Sequence, residues 1–224
     1  MNSSMIKKLI ITDWYFNRAA LIALIFLGVL SIGLLSMQGK SFFYVGLVLL
    51  ISTIVIVGIL LVFTTTIYER KNKTLAFVLS LPVSYMNYTL AKMIANLSAF
   101  LLIWLLLGVG FIGTIFFREH LPNGLIPYMV IVLVELLLGY IAVLATALIS
   151  ESEAWTVVVM SVNNISISLF MFWVGNLSGI QEHIEGAVVV WSSAAVNMLV
   201  AEVLIGCFLI GITFYFQSRK TDFL

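Results

Sequence analysis

Charge is what this sequence has least of. Only 9% of its 224 residues are Asp, Glu, Lys or Arg, against about 25% in an ordinary soluble domain. A net charge of +1 leaves no basic surface for nucleic acid. Cysteine occurs once, at Cys207, which excludes an intramolecular disulfide and any cysteine-built metal site. It reads as a small apolar packing residue. The two histidines, His120 and His183, have no partners at ligand spacing and read as surface residues. The three prolines, Pro82, Pro122 and Pro127, fall at or outside the ends of apolar runs, where proline starts or stops helices.

Apolar residues make up the balance, at 62%. They gather in runs that match the roughly 20 residues a helix needs to cross a bilayer. The runs lack the period-two alternation of a barrel strand, so helices are the spanning elements. The expected fold is an all-α polytopic membrane protein, a single domain over 1–224 with six transmembrane helices. The spans fall at about 19–37, 43–66, 93–117, 125–149, 155–175 and 196–216. Before the first run lies MIKKLIITDWYFNR, residues 5–18. Its Ile6, Leu9, Ile10 and Trp14 share a helical face, so the spacing predicts an amphipathic interfacial helix. A cleavable signal is not expected, because Asp13, Asn17 and Arg18 separate the basic start from a run already of span length.

Loop charge sets the expected orientation. With the N-terminus inside, the cytoplasmic side holds Lys7, Lys8, Arg18, Arg70, Lys71, Lys73, Lys92, Arg219 and Lys220; the outside holds Lys40 and Arg118. Both termini are therefore expected in the cytoplasm of a cell-membrane protein. The 150–154 loop alone carries no positive charge in support. The outside segment 176–195 contains the apolar run Ala187–Trp191. Two readings fit it: a short re-entrant or surface-lying helix, or a solvated loop.

Nucleotide motifs are excluded by context. GVGFIG at 108–113 follows no strand and sits within an apolar run, where small residues serve close helix approach. GKS at 39–41 lacks the glycine a phosphate-binding loop needs, since that position is Leu34. No enzyme activity and no cofactor are expected in this chain. Intramembrane polar groups are better candidates. A charge at the bilayer centre costs about 2.5–3.5 kcal/mol on insertion scales, so Glu135 and Glu202 qualify as pathway residues, or as groups that hold helices together. Asn163 and Asn164 in the fifth run have the same two readings. Phe170, Phe172 and Trp173 read as an interfacial aromatic belt.

The most polar stretch is YERKNKTLAFVLSLPVSYMNYTLAK, residues 68–92. Thr74 fits a helix N-cap and Pro82 a stop. Between them LAFVLSLP exposes Leu75, Leu79 and Leu81 on a basic loop, suiting either a partner-docking helix or one lying in the headgroups. The stretch resembles a loop of ABC-2 type transporter permeases, whose pattern runs E-R-x-x-G-T-L-E-x-L-L-S-L-P-V-S-R with a lysine further on. Glu69, Arg70, Thr74, Leu75, Val78, Leu79, Ser80, Leu81, Pro82, Val83, Ser84 and Lys92 match it. Lys73, Ala76 and Tyr85 depart from its glycine, second acid and arginine.

The resemblance implies that the loop is a coupling helix between spans two and three. Glu69, Arg70, Thr74, Leu75, Leu79, Leu81 and Pro82 would carry ATPase coupling. It further implies two copies of a separate ABC ATPase that binds ATP and Mg, and a second copy of this chain or a paralogous permease. Substrate would pass between the two permeases, in part along spans two and five, in an exporter. Lipid is the remaining partner. Two other readings stay open: an ion- or proton-coupled secondary transporter working through Glu135 and Glu202, and a membrane immunity or scaffold protein.

Overall fold

The computed structural model describes residues 3–71 and 85–219. Among them there is no strand. The helices are α1 (Ser3–Leu35), α2 (Lys40–Val62), a π-helical turn (Phe63–Ile67), α3 (Tyr68–Lys71), α4 (Tyr85–Phe117), α5 (Leu125–Ser150), α6 (Glu153–Gly175), α7 (Ser178–Ile184) and α8 (Ser193–Ser218).

Six helices are long and apolar enough to cross a membrane: Ile6–Leu35, Lys40–Ile67, Met86–Phe117, Leu125–Ser150, Glu153–Gly175 and Ser193–Ser218. Each coincides with one expected span. The first and third begin earlier than expected, because nothing between the polar lead and the apolar run breaks a helix. Residues 5–18 continue without interruption into the first span. At 1.5 Å per residue, the 33 residues of α1 and of α4 each extend about 50 Å, well beyond a hydrocarbon core of about 30 Å. The surplus of both helices is polar at the N-terminal end, so that end of the bundle stands clear of the lipid core.

α5 is the centre of the bundle. It is 61% buried over its membrane window, against 11% for α6 and 17% for α8. α1, α2, α4 and α5 build one apolar core around Leu50, Ile54, Phe100, Leu107 and Leu144. α6 and α8 pack on α5 and leave Val162, Ile165 and Phe172, and Leu204 and Phe208, exposed.

Small residues set the closest crossings. A Cβ on Gly46 would meet the Ser31 carbonyl and the Leu35 backbone at 2.9 Å, so α1 and α2 touch backbone to backbone there. Within GVGFIG, Gly110 faces Ile32 of α1, Gly108 faces Leu133 of α5 and Gly113 is open. The turn before α2 uses Gly39 at φ 122°, a conformation glycine alone adopts freely. Ser152 and Ser192 cap α6 and α8, accepting hydrogen bonds from the backbone N–H groups of Trp155 and Ala195.

At the end opposite the N-terminus, the 118–124 loop is tied to the α7–α8 connection by the Gly124 N–H donating to the Gly186 carbonyl at 2.8 Å. The helix in this region is α7, not the apolar run Ala187–Trp191, which is irregular. Gln181 and Glu182 at its surface and Ile180 beneath give α7 two faces, whereas the run of valines has none.

Candidate functional site

Lys92, seven residues into α4, is wholly buried and meets two carboxylates. Its Nζ donates to Asp13 Oδ1 and Oδ2 at 3.0 and 2.9 Å and to Glu69 Oε1 at 2.7 Å. The three hydrogens of the ammonium are thereby used. Tyr88, one turn earlier on α4, donates its hydroxyl to Glu69 Oε2 at 3.1 Å, and its ring lies 5.7 Å from Nζ. Four segments meet here: α1 through Asp13, α3 through Glu69, and two turns of α4 through Tyr88 and Lys92. Glu69 and Lys92 flank segment 72–84 on its two sides, so the ion pair closes the base of that segment.

A second polar layer lies one turn deeper. Asn96 Nδ2 donates to Thr65 Oγ1 at 2.8 Å and to the Lys92 carbonyl, while the Thr65 hydroxyl donates to the Leu61 carbonyl at 2.7 Å. Tyr140 of α5 reaches Asn96 Oδ1 with its hydroxyl at 3.4 Å. Thr64 donates to Asn17 Oδ1 at 2.8 Å, and Asn17 Nδ2 donates back to the Asp13 carbonyl. Both threonines belong to the π-helical turn. The consecutive hydroxyls of Thr64 and Thr65 bond to neighbouring backbone and to α1 and α4, which competes with the regular ladder. The widened turn also aims adjacent residues at two different helices. Single π-turns of this kind are frequent at functional sites.

Burial makes Lys92 the member this cluster can least lose. Removing one member of a buried ion pair costs about 3–5 kcal/mol, because the other charge is left in low dielectric. Two carboxylates share one ammonium, so loss of Lys92 leaves both without their cation, whereas displacement of α3 alone still leaves the Asp13–Lys92 pair. The Lys71–Glu153 contact at 3.7 Å also links α3 to the start of α6, but both side chains are solvated and such pairs contribute about 0–1 kcal/mol.

Of the expected coupling residues, Glu69 is in the cluster. Arg70 has its backbone in α3; its side chain, and all of Thr74, Leu75, Leu79, Leu81 and Pro82, lie outside the described residues. Among the expected pathway residues, Glu202 is buried on α8, both its carboxylate oxygens lacking a hydrogen-bond partner among the described residues. The half-buried Glu135 on α5 is within electrostatic reach of it. Asn163 packs on Gly139 of α5, where a Cβ would collide with its amide. Asn164 lines a lateral cavity of about 860 Å³ between α2 and α6, with Ser52, Ser168, Val55 and Met171. Neither acid lines that cavity.

Sequence reading missed Asp13, Asn17, Thr64, Thr65, Asn96 and Tyr140. It treated Asp13 and Asn17 as spacers and Lys92 as a solvated loop charge. A findable signal existed: Ile6, Asp13 and Asn17 share a helical face, and Lys92 and Asn96 are one turn apart. Polar residues at such spacing beside an apolar run imply mutual partners.

This is a six-span helical membrane protein with a buried charge cluster at the base of one polar inter-span segment. The chain belongs to the ABC-2 family of transporters: the model of the ABC-2 family transporter protein matches residues 8–219. No curated protein and no solved structure matches it significantly.

Proposed function

We propose that this ABC-2 family chain is the permease subunit of an ABC exporter, working as a dimer on two copies of a separate ATPase. The observation that carries the reading is the Asp13–Lys92–Glu69 cluster. It ties both stems of segment 72–84, α3 and the start of α4, to α1, and Asn96 beneath it links α4 to the π-helical turn and to Tyr140 of α5. A force applied to that segment therefore reaches the spans instead of dissipating in a loose loop. Segment 72–84 is the coupling helix, with Thr74, Leu75, Leu79, Leu81 and Pro82 toward the ATPase and Glu69 and Arg70 at its root. ATP and Mg bind the ATPase, not this chain. The N-terminal end faces the cytoplasm, as the loop charges require.

The cavity between α2 and α6 is one half of the translocation pathway, completed by the second copy or a paralogous permease. Its apolar lining with Asn164, Ser52 and Ser168 suits an amphipathic cargo. A secondary transporter driven through Glu135 and Glu202 would need those acids on the passage, and they do not line this cavity.

Co-purification tests the reading. An ATP-hydrolysing protein should accompany the wild-type chain out of native membranes. Leu79→Asp should lose it while remaining inserted and folded. Equal recovery of the ATPase with Leu79→Asp excludes the coupling role of this helix.

A further inference from the structure

The far end of α4 carries two adjoining hollows that no step of transport uses. One is an apolar groove of about 410 Å³ between α4 and α5, floored by Gly108 and Gly113 and walled by Trp104, Val130 and Leu133. Trp104 closes its deep end by donating Nε1–H to the Leu133 carbonyl at 2.7 Å. From Trp104 to Phe117 the groove follows 14 residues of α4, about 20 Å at helical rise. Half of a hydrocarbon core of about 30 Å is comparable. The other hollow, of about 590 Å³, shares Phe116 and Phe117 with the groove and is polar. Arg118, Glu119, His120, Asn123 and Glu185 line it.

The polar hollow presents both signs of charge. Arg118, Glu119 and Glu185 form no ion pair among the described residues. Asn123 Oδ1 is buried there without a hydrogen-bond partner, an acceptor in want of a donor. A guanidinium matches a phosphate. Two carboxylates and an amide oxygen match a primary ammonium, which has three hydrogens to give. A phosphate and a primary ammonium are shared by the ethanolamine and serine phospholipids, and Glu119 and Glu185 disfavour the additional carboxylate of serine.

We propose that groove and hollow together bind one molecule of phosphatidylethanolamine. An acyl chain lies along Gly108 and Gly113, the phosphate on Arg118, and the ammonium among Glu119, Glu185 and Asn123. Phosphatidylglycerol lacks the cation. Phosphatidylcholine carries one that donates no hydrogen bond. The site requires only that α4 and α5 cross a bilayer, so it stands apart from the choice of leaflet, ATPase or cargo.

Native mass spectrometry of the full-length chain tests this. The chain is delipidated in mild detergent and then titrated with synthetic phosphatidylethanolamine, phosphatidylcholine or phosphatidylglycerol. The wild type should retain one phosphatidylethanolamine, with at least about tenfold preference over phosphatidylglycerol, equivalent to about 1.4 kcal/mol. Gly113→Phe fills open space in the groove and should reduce bound lipid to background; Arg118→Ala should do the same and Arg118→Lys should recover part of it. Glu185→Gln should erase the preference while sparing phosphatidylglycerol binding, and it tests the head independently if Gly113→Phe does not fold. Equal retention of the three lipids, or unchanged phosphatidylethanolamine binding in a folded Gly113→Phe or Glu185→Gln protein, overturns the proposal.

Discussion

Lys92 and Glu69 are 23 residues apart in sequence, yet their Nζ and Oε1 atoms are 2.7 Å apart across the base of segment 72–84. The pair is buried on the lysine side and shares its charge with Asp13. Lys92→Met should therefore lower unfolding stability in detergent by about 3–5 kcal/mol. A double-mutant cycle with Glu69→Gln should return a coupling energy within about 0.5–3 kcal/mol. Additive effects of the two substitutions would show that the contact carries no energy.

The layer beneath the ion pair makes its own prediction. Thr65→Val removes the acceptor of Asn96 Nδ2 and the hydroxyl that satisfies Leu61. Leaving one hydrogen of the buried Asn96 amide unpaired, the other still on the Lys92 carbonyl, should cost about 1–3 kcal/mol, measured by thermal unfolding. Thr12→Val, whose hydroxyl bonds only the exposed Lys8 carbonyl, should change stability far less.

Helix approach can be tested at two glycines. A Cβ on Gly139 would overlap the Asn163 side chain, while one on Gly113 meets nothing within 4 Å. Gly139→Ala should destabilise the protein by about 1–3 kcal/mol, and Asn163→Ala in the same chain should restore most of the loss. Gly113→Ala should be close to neutral. Equal effects at the two glycines would contradict the described packing of α5 against α6.

The intramembrane acids separate structural from transport roles. Glu202 gains no hydrogen bond among the described residues, so Glu202→Gln should leave expression and unfolding temperature unchanged or improved. Glu135→Gln should likewise keep the fold and, because Glu135 lies off the cavity between α2 and α6, leave export measured in vesicles unchanged; altered export would place this acid on the passage. Loss of folded Glu135→Gln protein would make that residue a helix-holding group instead.

The spans were legible because insertion into lipid is written in run length, which a single sequence displays. Their ends were less so: α1 and α4 each extend about two to four turns earlier than hydropathy suggests, since polar residues without helix breakers continue a helix outside lipid. The root of segment 72–84 was half legible. Glu69 and Lys92 belong to a recognisable pattern, but that they form a pair is a fact of tertiary contact. Asp13 was hidden because its partner lies 79 residues away. The π-helical turn was hidden too, though three consecutive threonines at the end of an apolar run are a local reason for it. A short helix was one of two readings of segment 176–195, and its place at Ser178–Ile184 was not legible because the segment's one apolar run lies further on.

Transmission through the Lys92 cluster has one direct readout. Asn164→Cys, in a chain with Cys207→Ser, places a single thiol in the cavity between α2 and α6. With the co-purified ATPase in nanodiscs, its maleimide labelling rate should change on addition of ATP and Mg. In the Lys92→Met chain, provided that the ATPase remains bound and active, the labelling rate should no longer respond to ATP. An identical response with and without Lys92 would contradict transmission through this cluster.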